Sequence, residues 1–273
     1  FIQMKILLNN NDLNEALYNV SNLGFVPTMG SLHEGHISLI KKSLKECEKT
    51  VVSIFVNPTQ FNNKNDYKNY PKNNRKDLSI LKKLKVNFLY TPKESDVYYF
   101  KRKSLIKLKK QERILCAKFR KGHFEGVIDV MERLTRIVKP KKIYMGEKDF
   151  QQLYLVKKYI KKKHTAKIIS CKTVRNKSKL AFSSRNKLLN KMELRIARRI
   201  SREIFLLKEK LARSKNIKKV IFEKKRELIN LFNIKFDYLE LRNSSSFKKS
   251  NNIKNSRLFI AYYINKVRLI DNF

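Results

Sequence analysis

Two histidines, His33 and His36, stand three residues apart in Gly24-Phe25-Val26-Pro27-Thr28-Met29-Gly30-Ser31-Leu32-His33-Glu34-Gly35-His36. At the start of a helix that spacing puts both rings on one side. A helix N-terminus carries unpaired N–H groups and partial positive charge, so it attracts phosphate. Gly35 removes a side chain between the two rings and lets a nucleotide lie close to the backbone. Imidazoles beside a phosphate-binding helix end are suited to nucleotidyl transfer. The plainer reading of a histidine there is a helix cap or a surface residue, and the rest of the chain has to decide.

The elements that would position this pair are legible nearby. Phe25-Val26 reads as a buried strand that breaks at Pro27 and Gly30. A helix follows from about 35 to 48, with Ile37, Ile40, Leu44 and Cys47 spaced three, four and three apart on one apolar face. The run Thr50–Val56 is almost continuously apolar, as expected of a central parallel strand covered on both faces. Together they predict a right-handed βαβ unit. Its second strand ends in Asn57-Pro58-Thr59-Gln60-Phe61, on the same edge as the histidines, and open parallel sheets bind ligands beyond that edge. Gln60 there is either a substrate contact or an ordinary surface-loop residue.

Further along, Asp66–Pro71 reads as a turn, about 72–85 as a helix, and Val86–Tyr90 as a strand. The segment 93–118 carries no clear pattern, and Lys101–Lys110 reads as a solvated charge run. Arg120 and His123 precede a helix with Val127, Met131, Leu134 and Val138 on one face; they are either anion or hydroxyl contacts or helix-start residues that meet only water. A second strand–glycine–helix junction runs from Ile143 through Gly146-Glu147-Lys148-Asp149 to Gln152. Lys148 could neutralise charge on a transferring phosphoryl group, and Asp149 could bind ribose or Mg²⁺. Gln152 lies one helical turn on. His164 reads as solvated. Beyond a strand at Ala166–Ser170, Ser183-Ser184-Arg185 suits a mobile loop over phosphates. A long helix through Ala197, Ile200, Ile204, Leu207 and Leu211 follows, then a helix at about 216–232 and strands at 235–242, 257–264 and 266–271. The expected organisation is α/β, with a parallel-sheet domain over 1–173 and a smaller C-terminal α+β domain over 174–273.

Composition narrows the classes. No apolar run approaches the ~18 residues of a membrane span, and Phe1–Leu8 is too short for a secretory core, so no membrane partner and a cytoplasmic location are expected. Cys47, Cys116 and Cys171 are scattered and read as reduced core residues. The 64 Lys+Arg against 23 Asp+Glu give +41, which would suit a nucleic-acid binder. The lysines are spread through nearly every element, asparagine is also abundant, and no nucleic-acid module motif occurs. The favoured reading is a compositional bias, with no specific nucleic acid as partner. Glycine numbers only six, against a usual ~7% of residues, and all six lie in or beside the motifs above, where the backbone requires them.

Taken together, Pro27–Gly30 with His33–His36, Phe55–Phe61, Gly146–Gln152 and Ser183–Asn186 resemble the pantothenate synthetase family in order and spacing, and Arg268–Asn272 resembles its terminal strand. The resemblance covers essentially the whole chain. It implies a Rossmann-like nucleotidyltransferase domain, a smaller domain that closes over ATP, and a homodimer. The implied reaction condenses pantoate with β-alanine, using ATP and Mg²⁺, through a pantoyl-adenylate. It further implies that Met29, Gly30, Ser31, Leu32, His33, Glu34, Gly35 and His36 line ATP, with His36 as general acid and His33 holding phosphate. Gly146, Glu147, Lys148, Asp149, Val174, Phe182, Ser183, Ser184 and Arg185 would also contact ATP. Gln60 and Gln152 would hold pantoate, Gln60 beside β-alanine. From the residues themselves, Arg120 and His123 are further candidate substrate contacts. Mg²⁺ would be held through the ATP phosphates rather than by a protein site. The chain departs from the family pattern at Phe182, Lys72, Val97-Tyr98-Tyr99 and the Ser/Lys/Asn-rich stretch 243–256. Two other readings compete: a different His-x-Gly-His nucleotidyltransferase, related to class I aminoacyl-tRNA synthetases, and a basic nucleic-acid-binding protein.

Overall fold

The computed structural model describes residues 4–62, 64–99 and 106–273. It divides into two compact units, Phe1–Thr173 and Val174–Phe273. Among the described residues, the first unit runs β1 (Lys5–Leu7), α1 (Asn10–Leu17), β2 (Leu23–Thr28), α2 (Glu34–Glu46), β3 (Lys49–Ile54), α3 (Lys64–Lys68), α4 (Asn74–Lys83) and β4 (Phe88–Tyr90). It continues through α5 (Glu94–Val97), α6 (Cys116–Phe119), α7 (His123–Val138), β5 (Lys142–Gly146), α8 (Phe150–Ile160) and β6 (Lys167–Cys171).

These strands form one six-stranded sheet in the order β1-β4-β3-β2-β5-β6, with every pairing parallel. The chain begins at the edge strand β1, passes through α1 to β2 in the middle, builds outward through β3 to β4, which pairs with β1, then returns to lay β5 and β6 on β2's other side. This is the Rossmann-like, doubly wound order. The reversal between β2 and β5 opens a crevice at the carboxyl ends of those strands. The apolar run in β3 is explained by burial: Val51 and Val52 are inaccessible, as are Phe25 and Val26 beside them in β2.

The second unit holds α9 (Lys191–Leu211), α10 (Ile217–Phe232) and an antiparallel sheet of β7 (Lys235–Asn243), β8 (Ser256–Ile264) and β9 (Val267–Asn272), in that order. Asn190 and Glu193 cap α9 reciprocally. Its Ala197, Ile200, Ile204, Leu207 and Leu211 are all buried in a core with Leu239, Leu258 and Ile260 of the sheet. Each such Leu or Ile contributes about 1.5–3 kcal/mol on leaving water.

Several local expectations change. Asp66–Pro71, read as a turn, contains the last residues of the short helix α3. The edge strand β1 and helix α1 carry no sequence pattern that announces them. In α2 the buried positions are Leu39, Ile40 and Ser43, whereas Ile37, Leu44 and Cys47 are only partly covered. Ser43 sits where Gly24 lets helix and strand approach, and its hydroxyl bonds that of Thr50 at 2.8 Å. His164 is not simply solvated: its ring packs 3.5 Å from Glu132. The stretch 243–256 is ordered by Asn243, whose Oδ1 accepts the N–H groups of Ser245 and Ser246, and by Phe247 against the Phe259 ring. Of the predicted charge run, residues 101–105 lie outside the described residues.

Candidate functional site

At the end of β2, Thr28 donates its hydroxyl to the Ser53 carbonyl at 2.7 Å and accepts the N–H of Gly30 at 3.1 Å, so the loop leaves the sheet from a point tied to β3. Gly30 and Ser31 both take left-handed backbone (φ +79° and +55°), the first at no cost and the second under strain. Asp77 of α4, buried to 1% exposure, holds this loop. Its two carboxylate oxygens accept the N–H groups of Ser31 at 2.7 Å and Leu32 at 2.8 Å. Sequence reasoning gave Asp77 no role, because its partners are backbone atoms remote in the chain.

His33 is the N-cap of α2: its Nδ1 accepts the Gly35 N–H at 3.1 Å. The cap and the functional reading are therefore compatible. A nitrogen that accepts a backbone N–H carries no proton, so the neutral ring's proton is on Nε2, a donor. The His36 ring lies alongside, with centroids 4.1 Å apart. The space left by the missing Cβ of Gly35 is taken by His33 itself, whose Cε1 would lie 2.9 Å from it.

Beyond β3, Asn57 opens a 3₁₀ turn, Pro58–Gln60. Asn57 is 1% exposed, and its amide orientation is set by the groups around it. Oδ1 faces the Thr59 N–H at 3.3 Å and the Tyr98 hydroxyl at 2.7 Å, while Nδ2 donates to the Gly126 carbonyl and to Gln60 Oε1, both at 3.3 Å. A backbone N–H only donates and a carbonyl only accepts, so this polarity is unique. Burial pushes the Tyr98 phenol up to about 12, which keeps it a donor. Gln60, with its Oε1 engaged, places Nε2 against Met29 Sδ at 2.9 Å. A thioether is a weak acceptor that a substrate oxygen can replace.

Gln60 is buried, which removes the surface-loop reading. The water-only reading of Arg120 and His123 falls as well. His123, buried at the first turn of α7, bonds the Gln60 carbonyl through Nδ1 at 2.7 Å and Arg120 through Nε2 at 2.8 Å.

The other side of the crevice begins at Gly146, the last residue of β5. Glu147–Asp149 form a 3₁₀ turn that runs into α8, and Lys148 Nζ lies 3.5 Å from Asp149 Oδ1. Gln151 is buried and anchors the backbone of Glu112 and Ile114, whereas Gln152 remains partly exposed. Because β2 and β5 are neighbouring parallel strands, the 28–36 and 146–152 segments leave the same edge of the sheet.

In the second unit the expected loop is an ordered hairpin and turn. Arg175 bridges Ala181, Phe182 N–H donates to the Val174 carbonyl, and Ser183 caps a 3₁₀ turn, Ser184–Leu188, by accepting the Arg185 N–H. Arg175 anchors the hairpin through a bidentate pair with Asp271 at 2.6 and 2.8 Å.

Comparison with known proteins agrees over the full length. A family model described as pantoate-beta-alanine ligase matches residues 5–273. A pantothenate synthetase of Francisella tularensis subsp. mediasiatica is 42% identical over 263 residues, covering 96% of this chain and 92% of that relative. The crystal structure of pantothenate synthetase from Thermus thermophilus superposes with a TM-score of 0.92 at 29% identity, covering 99% of both chains. A Francisella tularensis pantoate-beta-alanine ligase, complexed with beta-gamma ATP and beta-alanine, superposes with a TM-score of 0.84 at 39% identity, covering 99% of this chain and 97% of that one. The chain belongs to the pantoate–β-alanine ligase family.

Proposed function

We propose, with that membership as premise, that this chain condenses pantoate with β-alanine, using ATP, through a pantoyl-adenylate. The observation that carries the reading is the His33–His36 pair at the head of α2, on the sheet edge where the strand order reverses, with the Gly146–Asp149 turn leaving the neighbouring strand. Joining a carboxylate to an amine needs a leaving group. Attack of the pantoate carboxylate on the α-phosphorus of ATP supplies one and expels pyrophosphate. The β-alanine amine then attacks the acyl carbon, and AMP departs.

In this reading His33 donates from Nε2 to phosphate, His36 acts as general acid, and Lys148 offsets charge as it builds on the α-phosphate. Met29–His36 and Gly146–Asp149 contact ATP, as do Val174, Phe182, Ser183, Ser184 and Arg185 of the second unit. Gln60 and Gln152 hold pantoate, with Gln60 also beside β-alanine and Arg120 a further substrate contact. Among the described residues no three His, Cys, Asp or Glu side chains group to hold an ion. Mg²⁺, when bound, supplies charge neutralisation across the nucleotide phosphates, which are its usual ligands.

The reading extends to a cytoplasmic homodimer. It is supported by the resemblance in sequence. Light scattering on the purified chain measures the oligomer.

AMP release from ATP and Mg²⁺, with pantoate and β-alanine omitted in turn, tests the reaction on wild type and His36→Ala. Release is expected to require both substrates and to fall at least ~100-fold in the variant. Turnover indifferent to pantoate would sink the reading.

A further inference from the structure

We infer that His123 is a positioning residue: backed by Arg120, it clamps the Pro58–Gln60 turn so that the Gln60 amide presents its N–H₂ to a pantoate oxygen. The inference rests on the proposed role of Gln60 as a pantoate contact.

The bonding partners dictate the state of the ring. A carbonyl oxygen only accepts, so the 2.7 Å contact with the Gln60 carbonyl places the proton on Nδ1. A guanidinium only donates, so the 2.8 Å contact with Arg120 requires a bare Nε2. His123 is therefore a neutral imidazole in the Nδ1–H tautomer, opposite to His33, whose Nδ1 accepts a backbone N–H. Both of its ring nitrogens are committed to the protein, which makes it a part of the site's frame rather than a direct ligand of an anion.

The clamp acts where Gln60 most needs it. The Gln60 side chain is oriented from Asn57, and its main chain sits in a three-residue 3₁₀ turn that holds itself locally, through Phe61 N–H to the Pro58 carbonyl and Thr59 N–H to Asn57 Oδ1. His123 ties the Gln60 carbonyl itself to α7. One helical turn on, α7 comes so close to this turn that a Cβ on Gly126 would stand 2.5 Å from the Thr59 carbonyl oxygen. The first turn of α7 and the Gln60 turn thus move as one body. Losing the Nδ1–H bond leaves a buried carbonyl unsatisfied and frees Gln60 to tilt away from its aim.

Initial rates with pantoate as the varied substrate test this on wild type, Gln60→Ala, His123→Leu and the double variant. Each single change is expected to raise KM for pantoate about tenfold, the scale of one lost hydrogen bond, with KM for ATP within about threefold. The double variant is expected to be within about twofold of Gln60→Ala, because the clamp reaches pantoate through Gln60; a larger loss would assign the effect to the neighbouring Arg120 instead. His123→Asn, whose amide N–H can stand in for Nδ1–H, is expected to restore KM to within about threefold of wild type. Multiplying effects in the double variant, or an unchanged KM in His123→Leu, overturn the inference while leaving the role of Gln60 intact. An unchanged pantoate KM in Gln60→Ala removes that role and the inference with it. A measurement free of any folding defect is the ¹⁵N spectrum of histidine-labelled wild type. His123 is expected as an Nδ1–H imidazole, and an Nε2–H tautomer there overturns the clamp.

Discussion

Asp77 and Ser31 are 46 residues apart in the chain, yet the Asp77 carboxylate accepts the Ser31 backbone N–H at 2.7 Å and, with its second oxygen, the neighbouring Leu32 N–H at 2.8 Å. One side chain of α4 therefore holds the loop between β2 and α2, including two residues in left-handed backbone. Two donors need two acceptors, and Asn offers one oxygen and one N–H₂. Asp77→Asn is accordingly expected to cost about 1.5–3 kcal/mol in urea denaturation, the scale of a hydrogen bond to a charged group. It is also expected to raise KM for ATP more than KM for β-alanine. Wild-type stability together with an unchanged KM for ATP would show that the loop holds itself.

The amide of Asn57 sets which atom of the Gln60 side-chain amide is engaged. Asn57→Asp changes almost nothing in shape but turns a donor into an acceptor opposite the Gly126 carbonyl and Gln60 Oε1. Gln60 is then expected to flip and show its oxygen to the substrate, raising KM for pantoate by at least tenfold, as expected when a donor–acceptor match becomes acceptor against acceptor. A Gln60→Glu variant, which removes the donor directly, should show the same selectivity for pantoate. Equal losses for pantoate and ATP would mean that Asn57→Asp damages the fold instead.

The parts of the molecule that the sequence announces are those held by repeated, local regularities. The α9 face appears residue for residue in the spacing of Ala197, Ile200, Ile204, Leu207 and Leu211, and the parallel β3 appears in its unbroken apolar run. The face of α2 is misjudged because one buried position is Ser43, whose hydroxyl is satisfied by Thr50 and so escapes any apolar pattern. In the candidate site, the His33–His36 and Lys148–Asp149 junctions are legible because chemistry and turn residues coincide there. Asp77 and the polarity of Asn57 are not legible, since each is defined by backbone partners that only the folded chain brings near. For Asn57 a signal existed: an Asn immediately before Pro58 at a strand's end favours a side-chain-closed turn. It named the turn but not what the turn was for.

Arg175 fastens the hairpin that leads to Ser183–Arg185. Its guanidinium makes the bidentate pair with Asp271, donates to the Lys179 and Asn272 carbonyls at 2.8 Å, and stacks 4.2 Å from the Phe273 ring. The Asp271 side chain is 8% exposed, so removing the cation strands a largely buried carboxylate. Arg175→Met is expected to destabilise by about 3–5 kcal/mol, and Asp271→Asn by less, because an amide oxygen can still accept one of the two bonds. Thermal melts rank the two variants. Equal, small shifts would mean that the pair is replaceable by packing.

Glu112 provides a test by pH. Burial works against its ionisation, but hydrogen bonds from Lys158 at 2.5 Å, the Lys109 N–H at 2.8 Å and Tyr159 at 2.9 Å outweigh it and hold the carboxyl below the ordinary glutamate value of 4.5. The same contact pushes Lys158 up, so the two partners agree in direction. A carboxyl whose folded value lies below its unfolded one stabilises fully above the unfolded value, and that stability is lost as pH falls through the folded value. Glu112→Gln keeps the shape and removes the charge. The variant is expected to be less stable than wild type at pH 7 by about 1–3 kcal/mol, the cost of removing a buried charged acceptor. The gap should hold down to about pH 5, narrow below 4.5, and close once Glu112 is protonated in the folded wild type. Urea denaturation of both proteins from pH 7 to pH 3 measures the gap directly. A difference that stays constant across that range would assign the loss to packing around Lys158 and Tyr159 rather than to the charge.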